Sequence, residues 1–433
     1  MFSSILQRPS FLPVYRLITT HMANKRSSHR TTMVELPQEL IEAIVDYVGQ
    51  MNELDRSKDR ETLQQCSLAA RVFLAPSQRH LFQSFSLGSR NIETICAGFI
   101  SNPTLASYVR YLQIHIFWFE HLHSDSSSQL LASFLPLLHK LDHLVLNWFN
   151  ESPDWNSFPA ALRVAFNKLL SLPTLRCFGI SGCYSVPASV VIHAMASFEQ
   201  VTFTNVCVSE DEHPPFMTDH RHPDAPVLRR LLLLPPIGGE DPTLETVMLS
   251  QKNARFLTNL QHLELRLPDR GTLRGYQEIA LSCSGSLEHL AIDFTDFLYD
   301  AIEPFPKMPA IRVLTLMCSM WGLQISEALQ NFSISLPSSM PGLEVFNLVL
   351  DSDHLVGTVR WHPRSGDMDV ALSNLRHLRE VHFTISCNFD EAGVEDVFRK
   401  AFPVVNGEGL LTFTIYSRYG MARRAHKMQC MDL

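Results

Sequence analysis

The residues with the richest chemistry in this chain are its histidines and cysteines. His121-x-His123 and His220-x-His222 each set two imidazoles close together, as half of a metal site would. Neither has a cysteine or a second histidine pair at the spacing that zinc uses, so surface histidine is the better reading. His139 and His143 are four apart, but His143 falls inside the strand-like run from Leu141 to Leu146, so the two share no helical face. The nine cysteines form no Cys-x-x-Cys pair. Such spacing fits buried, reduced thiols in a cytoplasmic or nuclear protein. The sequence has no glycine-rich phosphate loop and no Gly-x-Ser-x-Gly elbow. We therefore expect no catalytic residue, no metal and no cofactor.

The two ends carry signals of another kind. Residues 1–34 hold Arg8, Arg16, Lys25, Arg26 and Arg30 and no acid, which fits a disordered extension or a mitochondrial leader. The polar tail, 417–433, ends Cys430-Met431-Asp432-Leu433 after Arg423, Arg424 and Lys427. This is the outline of a geranylgeranylation signal, except that Asp432 stands where an aliphatic residue belongs. A frayed tail is the default.

A chain without its own chemistry acts through surfaces, and composition limits which. Its 433 residues are 45% hydrophobic, enough for a large core. Only 18% are charged, and the net charge is −8. That balance lacks the basic footprint of nucleic-acid binding. No apolar run reaches the length of a membrane span.

The elements that would position such surfaces come from a repeat. The pattern apolar-x-x-apolar-x-x-apolar-x-apolar appears at Leu138, Leu141, Leu144 and Leu146, and at Leu172, Leu175, Phe178 and Ile180. It returns at Leu257 to Leu265, Met308 to Leu316, Met340 to Leu348 and Leu375 to Phe383, and closes at Leu410, Phe413 and Ile415. Weaker copies centre on Leu112, Val201, Leu231 and Leu290. About eleven units spaced roughly 23 to 35 residues apart fit a strand-and-helix repeat. The closing triplet is a short strand with alternate side chains on opposite faces. Amphipathic helices lie between copies, as at Ile92, Ile95, Cys96, Phe99 and Ile100, at Leu162, Phe166, Leu169 and Leu170, and at Val394, Val397, Phe398 and Ala401. Stacked units share one core, with parallel strands inside the curve and helices outside. The residue between the two apolar positions then points into the concavity. Val145, Glu264, Ala291, Thr315, Asn347, His382 and Thr414 are the expected contacts for a target protein. Two stretches break the rhythm, Asn205 to Pro226 and Asp351 to Asp369. They are target-contacting insertions or plain loops.

Before the repeats lies a helical stretch, 35–87. Pro37 opens a helix, Glu39 suits its first turn, and Leu40, Ile41, Ile44, Val45 and Val48 make one apolar stripe up to a stop at Gly49. A second helix capped by Thr62 carries Leu63, Cys66, Ala70 and Phe73, and Pro76 opens a short third turn. Three short helices are too small to bury a core alone, so they must lean on the rest of the chain or on a partner.

Leu36-Pro37-x-Glu39-Leu40-x-x-x-Ile44, then Leu63-x-x-Cys66-Ser67-Leu68-x-x-Arg71-x-Phe73, then His80-Leu81-Phe82, resembles an F-box of the kind abundant in fungi. Here the loop after the first helix is longer than usual, and Phe73 stands where the family often has Trp. The repeats at 88–416 resemble the irregular leucine-rich repeats that often follow an F-box. The resemblance implies an α/β fold: a helical F-box-like module followed by a leucine-rich-repeat horseshoe. It also implies a non-catalytic receptor subunit of a cullin ubiquitin ligase. Leu36, Pro37, Leu40, Ile41, Ile44, Val45, Val48, Leu63, Cys66 and Leu68 would dock on a Skp-type adaptor, and the repeats would hold the target. The alternative is a ligase-independent scaffold whose helices only cap the solenoid. The two part on one point: a stripe facing solvent needs a partner, and a stripe packed on the repeats is a cap.

Overall fold

Every apolar-x-apolar triplet becomes a strand in the computed structural model. The model describes residues 37–50, 56–88, 91–116, 125–148, 154–209, 227–234, 243–266, 270–294, 305–319, 327–351, 365–386 and 391–416. Segment 1–34, Leu36, the tail, both His-x-His pairs, Cys387 and Cys430 lie outside these residues. The strands are β1 (Ser84–Gly88), β2 (Tyr111–Ile116), β3 (His143–Trp148), β4 (Cys177–Pro187), β5 (Gln200–Ser209) and β6 (Arg230–Leu234). They continue as β7 (His262–Arg266), β8 (His289–Asp293), β9 (Val313–Ser319), β10 (Val345–Asp351), β11 (Glu380–Ser386) and β12 (Leu411–Tyr416). The helices before β6 are α1 (Gln38–Gln50), α2 (Arg56–Ala69), α3 (Arg71–Gln83), α4 (Ile92–Ser101), α5 (Pro103–Ala106), α6 (Asp125–Phe134), α7 (Ala160–Leu170) and α8 (Ala188–Ser197). Those after it are α9 (Thr243–Leu249), α10 (Arg270–Ser282), α11 (Glu327–Ser339), α12 (Ser365–Ser373), α13 (Glu391–Ala401) and α14 (Pro403–Gly407).

The twelve strands form one sheet in chain order, β1 to β12. Each neighbouring pair from β3 to β12 is parallel. Parallel neighbours need a crossover, and an amphipathic helix supplies it while covering the apolar face of the strand. Leu144, Leu146, Phe178, Ile180, Leu263, Leu265, Phe346, Leu348, Val381 and Phe383 are all buried on that face. Phe383 packs at 4.9 Å on Phe398 of α13 and at 5.2 Å on Phe402. Phe178 meets Phe198, just past α8, at 5.8 Å.

A ladder of backbone bonds runs along the residues just before the strands. Arg176 donates to Asp142 at 2.8 Å, Glu199 to Arg176, Arg229 to Glu199, Gln261 to Arg229, Glu288 to Gln261, Arg312 to Glu288, Glu344 to Arg312 and Arg379 to Glu344. Apart from Gln261, acids and arginines alternate along it. Arg312 bonds Glu344 at 3.2 Å, and Arg379 reaches the same carboxylate at 3.6 Å. Singly such exposed pairs contribute little. In sequence order they give neighbouring repeats opposite charges on either side of Gln261.

Several local expectations change. Strand β1 arises within the stretch read as purely helical, because Phe85 and Leu87 alternate with serines and are buried. The second helix starts at Arg56 rather than Thr62 and stops at Ala69. Ala70 is extended (φ −161°, ψ 153°), and α3 starts behind it. Pro76 lies inside α3 and opens no new turn. Gly49 lies within α1 and is not a stop. A Cβ there would collide with the His80 ring, so glycine serves the close approach of α1 and α3. The stretch from Asn205 begins inside β5, and Asp367 and Asp369 belong to α12. Residues 210–226 and 352–364 lie outside the described residues.

The chain divides into two compact units. One holds the described residues up to Phe85 with Ser101–Tyr111, and the other holds Ser86–Ile100 and the residues from Leu112 on.

In the second unit, Asp369 on α12 is 1% exposed and accepts from the Val404 and Val405 amides at 2.8 and 3.0 Å. It caps the first turn of α14 from a neighbouring helix, where the leading amides have no partner within the helix itself. Asp369→Ala is expected to cost about 1–3 kcal/mol. Chemical denaturation measures the loss, and faster hydrogen exchange should be confined to α12 and α14. An unchanged midpoint would show that water replaces the cap.

Candidate functional site

The helical module builds its own core. Ile41, Val45 and Val48 of α1 meet Leu63 and Cys66 of α2 and Phe73 of α3, and Leu81 packs against this cluster. Ile44 is buried as well. The extended Ala70 makes this possible, because it turns α3 back so that Phe73 rejoins Leu63 and Cys66. Asp46 on α1 ties the same crossing, accepting from His80 Nε2 at 2.7 Å and from Arg79 Nη2 at 3.1 Å. The His80 bond, aided by Arg79, holds the Asp46 carboxyl below the usual carboxylate range.

This overturns the picture of a stripe turned outward. Ile41, Ile44, Val45, Val48, Leu63 and Cys66 are covered within one chain, and Leu40 is half-buried. Pro37 and Leu68 are exposed, Leu68 to 86%. Val72 at 47% and Leu74 at 40% join them as large apolar side chains in solvent. Neither was singled out in the sequence. A signal existed: both flank Phe73 on one helix, and residues adjacent on a helix face different ways.

The second candidate is the sheet face opposite the buried triplets. Register places Val145, Gly179, Thr202, Leu232, Glu264, Ala291, Thr315, Asn347, His382 and Thr412 in one row across ten strands. The expected contacts thus fall in a single line, with two corrections. Thr414 lies one step further on, opposite Thr384, and Thr412 takes its place in the row. Val145 is buried at 5% exposure, and a Cβ on Gly179 would rest against it. Glu264, Ala291, Thr315, Asn347, His382 and Thr414 are half-buried.

From β9 to β12 the face is a hydrogen-bonded network that ends on the Glu380 carboxylate. Asn347 Nδ2 donates to Thr315 Oγ1 at 3.2 Å. The Thr412 hydroxyl donates to Glu380 at 2.8 Å, so it accepts from His382 Nδ1 at 2.7 Å. His382 Nε2 shares a further hydrogen bond with the Thr414 hydroxyl at 2.9 Å. From β6 to β8 the face is mixed in charge. Arg266 pairs with the buried Asp293 at 3.0 Å. Register sets Arg230, His262 and His289 side by side, and the two imidazoles stack at 4.2 Å and 16°. Partial burial lowers the pKa of both. His289 and Arg230 lower His262 further, and Arg230 lowers His289, while Glu288 works the other way on each. Sequence spacing could not pair these histidines, because only strand register brings them together.

Burial pushes the thiol pKa of Cys96, Cys177 and Cys283 up to about 12. Among the described residues, no group of three or more His, Cys, Asp or Glu is placed to hold a metal ion. No described helix is long and apolar enough to cross a membrane. What the described residues offer is a set of exposed apolar side chains on the module and a row of side chains along one face of the sheet. Compared with known proteins, the sequence matches no family model and no curated protein.

The stacked pair makes a pH prediction. The folded chain binds fewer protons at these imidazoles than the unfolded chain does. Their support is therefore complete above the unfolded histidine value of about 6.5 and fades as pH falls below it. Melting temperature should drop between about pH 7 and pH 5, and drop less in the double variant His262→Gln, His289→Gln. Equal slopes in the two proteins would mean that the pair is indifferent to protonation.

Proposed function

We propose that this chain is an F-box-like receptor, the substrate-recognition subunit of a cullin ubiquitin ligase. Its helical module docks on a Skp-type adaptor, and its leucine-rich-repeat-type sheet binds a target protein. One observation carries the reading: the module closes its own core and still exposes Leu68, Val72 and Leu74. The cap alternative needs the stripe for the repeats, but the stripe is used inside the module. The docking contacts in this reading therefore come from among the exposed Leu68, Val72, Leu74 and Pro37, and the buried stripe fixes the helices that carry them. The resemblance of Leu36-Pro37 and Cys66-Ser67-Leu68 to an F-box supports the same assignment.

On the target side, the row from Glu264 to Thr412 offers neutral hydrogen-bonding groups and balanced charge. Such a surface suits protein better than a phosphate backbone. The chain would catalyse nothing. It would raise the effective concentration of the target near the ubiquitin-loaded enzyme. A ligase-independent scaffold is the second reading, and it keeps the sheet contacts while dropping the adaptor.

Exposed and buried positions test the two differently. Each large aliphatic side chain at an interface is worth about 1.5–3 kcal/mol before association costs. Leu68→Asp and Val72→Asp should each weaken adaptor co-purification about tenfold or more, while stability stays within about 0.5 kcal/mol. Val45→Asp should lower stability by several kcal/mol, because it buries an unpaired charge in the module core. Failure of the parent chain to hold any Skp-type adaptor would remove the ligase reading and leave the scaffold.

A further inference from the structure

The last strand of the sheet, β12, has, among the described residues, one edge that pairs with no strand. In a parallel pair, alternate residues turn both backbone groups to the same side. The Val381 amide donates to the Leu410 carbonyl at 2.9 Å. Leu410, Thr412 and Thr414 therefore face β11, and Leu411, Phe413 and Ile415 aim their amides and carbonyls away from it. Exposed edges normally carry lysine, proline or a bulge that blocks pairing. β12 reads Leu-Thr-Phe-Thr-Ile-Tyr, uncharged, without proline, and rich in residues that favour strands. Phe413 and Ile415 are also half-exposed, although they occupy the face that is buried in the other repeats. One side of the Phe413 ring is covered by Arg399, 5.1 Å away, whose guanidinium bonds Asn406 at 2.6 Å. Phe383 stacks on the ring at 5.7 Å from the neighbouring strand.

We propose that β12 pairs antiparallel with β12 of a second copy, joining two sheets about a two-fold axis at Phe413. The sequence of the strand selects this occupant. Centred there, Phe413 faces the partner's Phe413, and Leu411 faces the partner's Ile415, each pair exchanging both outward backbone bonds. On the other face Thr412 lies opposite the partner's Thr414. Every pair matches apolar with apolar or hydroxyl with hydroxyl, and no charge is opposed. The half-exposed rings would gain cover, and a two-fold pairing uses up the β12 edge of each copy, so that no further copy can add there. The inference is independent of adaptor binding.

Sedimentation velocity of the full chain from about 1 to 100 µM should show a monomer–dimer equilibrium of micromolar order. Hydrogen exchange at Phe413 and Ile415 should slow about tenfold or more across that range, because only pairing protects those amides. Thr412→Lys with Thr414→Lys sets lysines opposite each other across the axis. It should give a monomer whose exchange is insensitive to concentration. If that variant fails to fold, the exchange of the parent chain decides alone. A parent that stays monomeric overturns the proposal. So does a dimer whose Phe413 and Ile415 amides exchange freely. Protection that is equal at every concentration would mean that the edge is covered within one chain, and it also overturns the proposal.

Discussion

A short parallel strand carries unsatisfied backbone donors and acceptors on both sides, and only another strand in register can take them all. Nearly everything in the second unit follows from that constraint. Each strand is only five to eleven residues long and cannot hold a sheet alone. Its neighbours must repeat its length and its alternation, so Leu144, Phe178, Val201, Leu231, Leu263, Leu290, Leu314, Phe346 and Val381 fall in one buried row. The helices then have one place to go, on top of that row. The same register aligns the opposite face into one row, buried at Val145, Gly179 and Thr202 and half-buried and polar from Thr315 to Thr412, without any separate design for it. It also sets the alternating acids and arginines beside one another just before the strands.

The helical module obeys a different constraint, the need of a small unit to close a core with few residues. It does so with a restart at Ala70, a glycine that admits His80, and a carboxylate that bonds His80 and Arg79. Because the stripe of α1 is satisfied inside, exposure of apolar residues elsewhere on the module acquires meaning. A single exposed leucine is ordinary on a protein surface. Three large apolar residues lie exposed within seven positions, on a module whose own core is already closed.

Much of this was legible in the residues. The triplets named strands β2 to β12 because period-two alternation after a fixed apolar lead-in has few other readings. Most of the row facing away from the helices followed from the same alternation. Strand β1 was not legible, since Ser84-Phe85-Ser86-Leu87 lacks the lead-in and sits beside helical sequence. What covers the stripe of α1 was not legible, for a physical reason. An amphipathic stripe reports that a helix face will be covered, but it does not report by what.

The sequence by itself determined the period, the strand positions and the residues able to face away from the core, because these depend on neighbours along the chain. Only the tertiary structure decided which strand residues stand side by side. His262 and His289 stack, Thr412 rather than Thr414 continues the row, and Asp369 caps a helix thirty-five residues away. It also decided that Ile41, Val45 and Val48 are spent on Leu63, Cys66 and Phe73, leaving Leu68, Val72 and Leu74 outside. Register and helix crossing are set by contacts between segments far apart in the chain, and no local pattern encodes them.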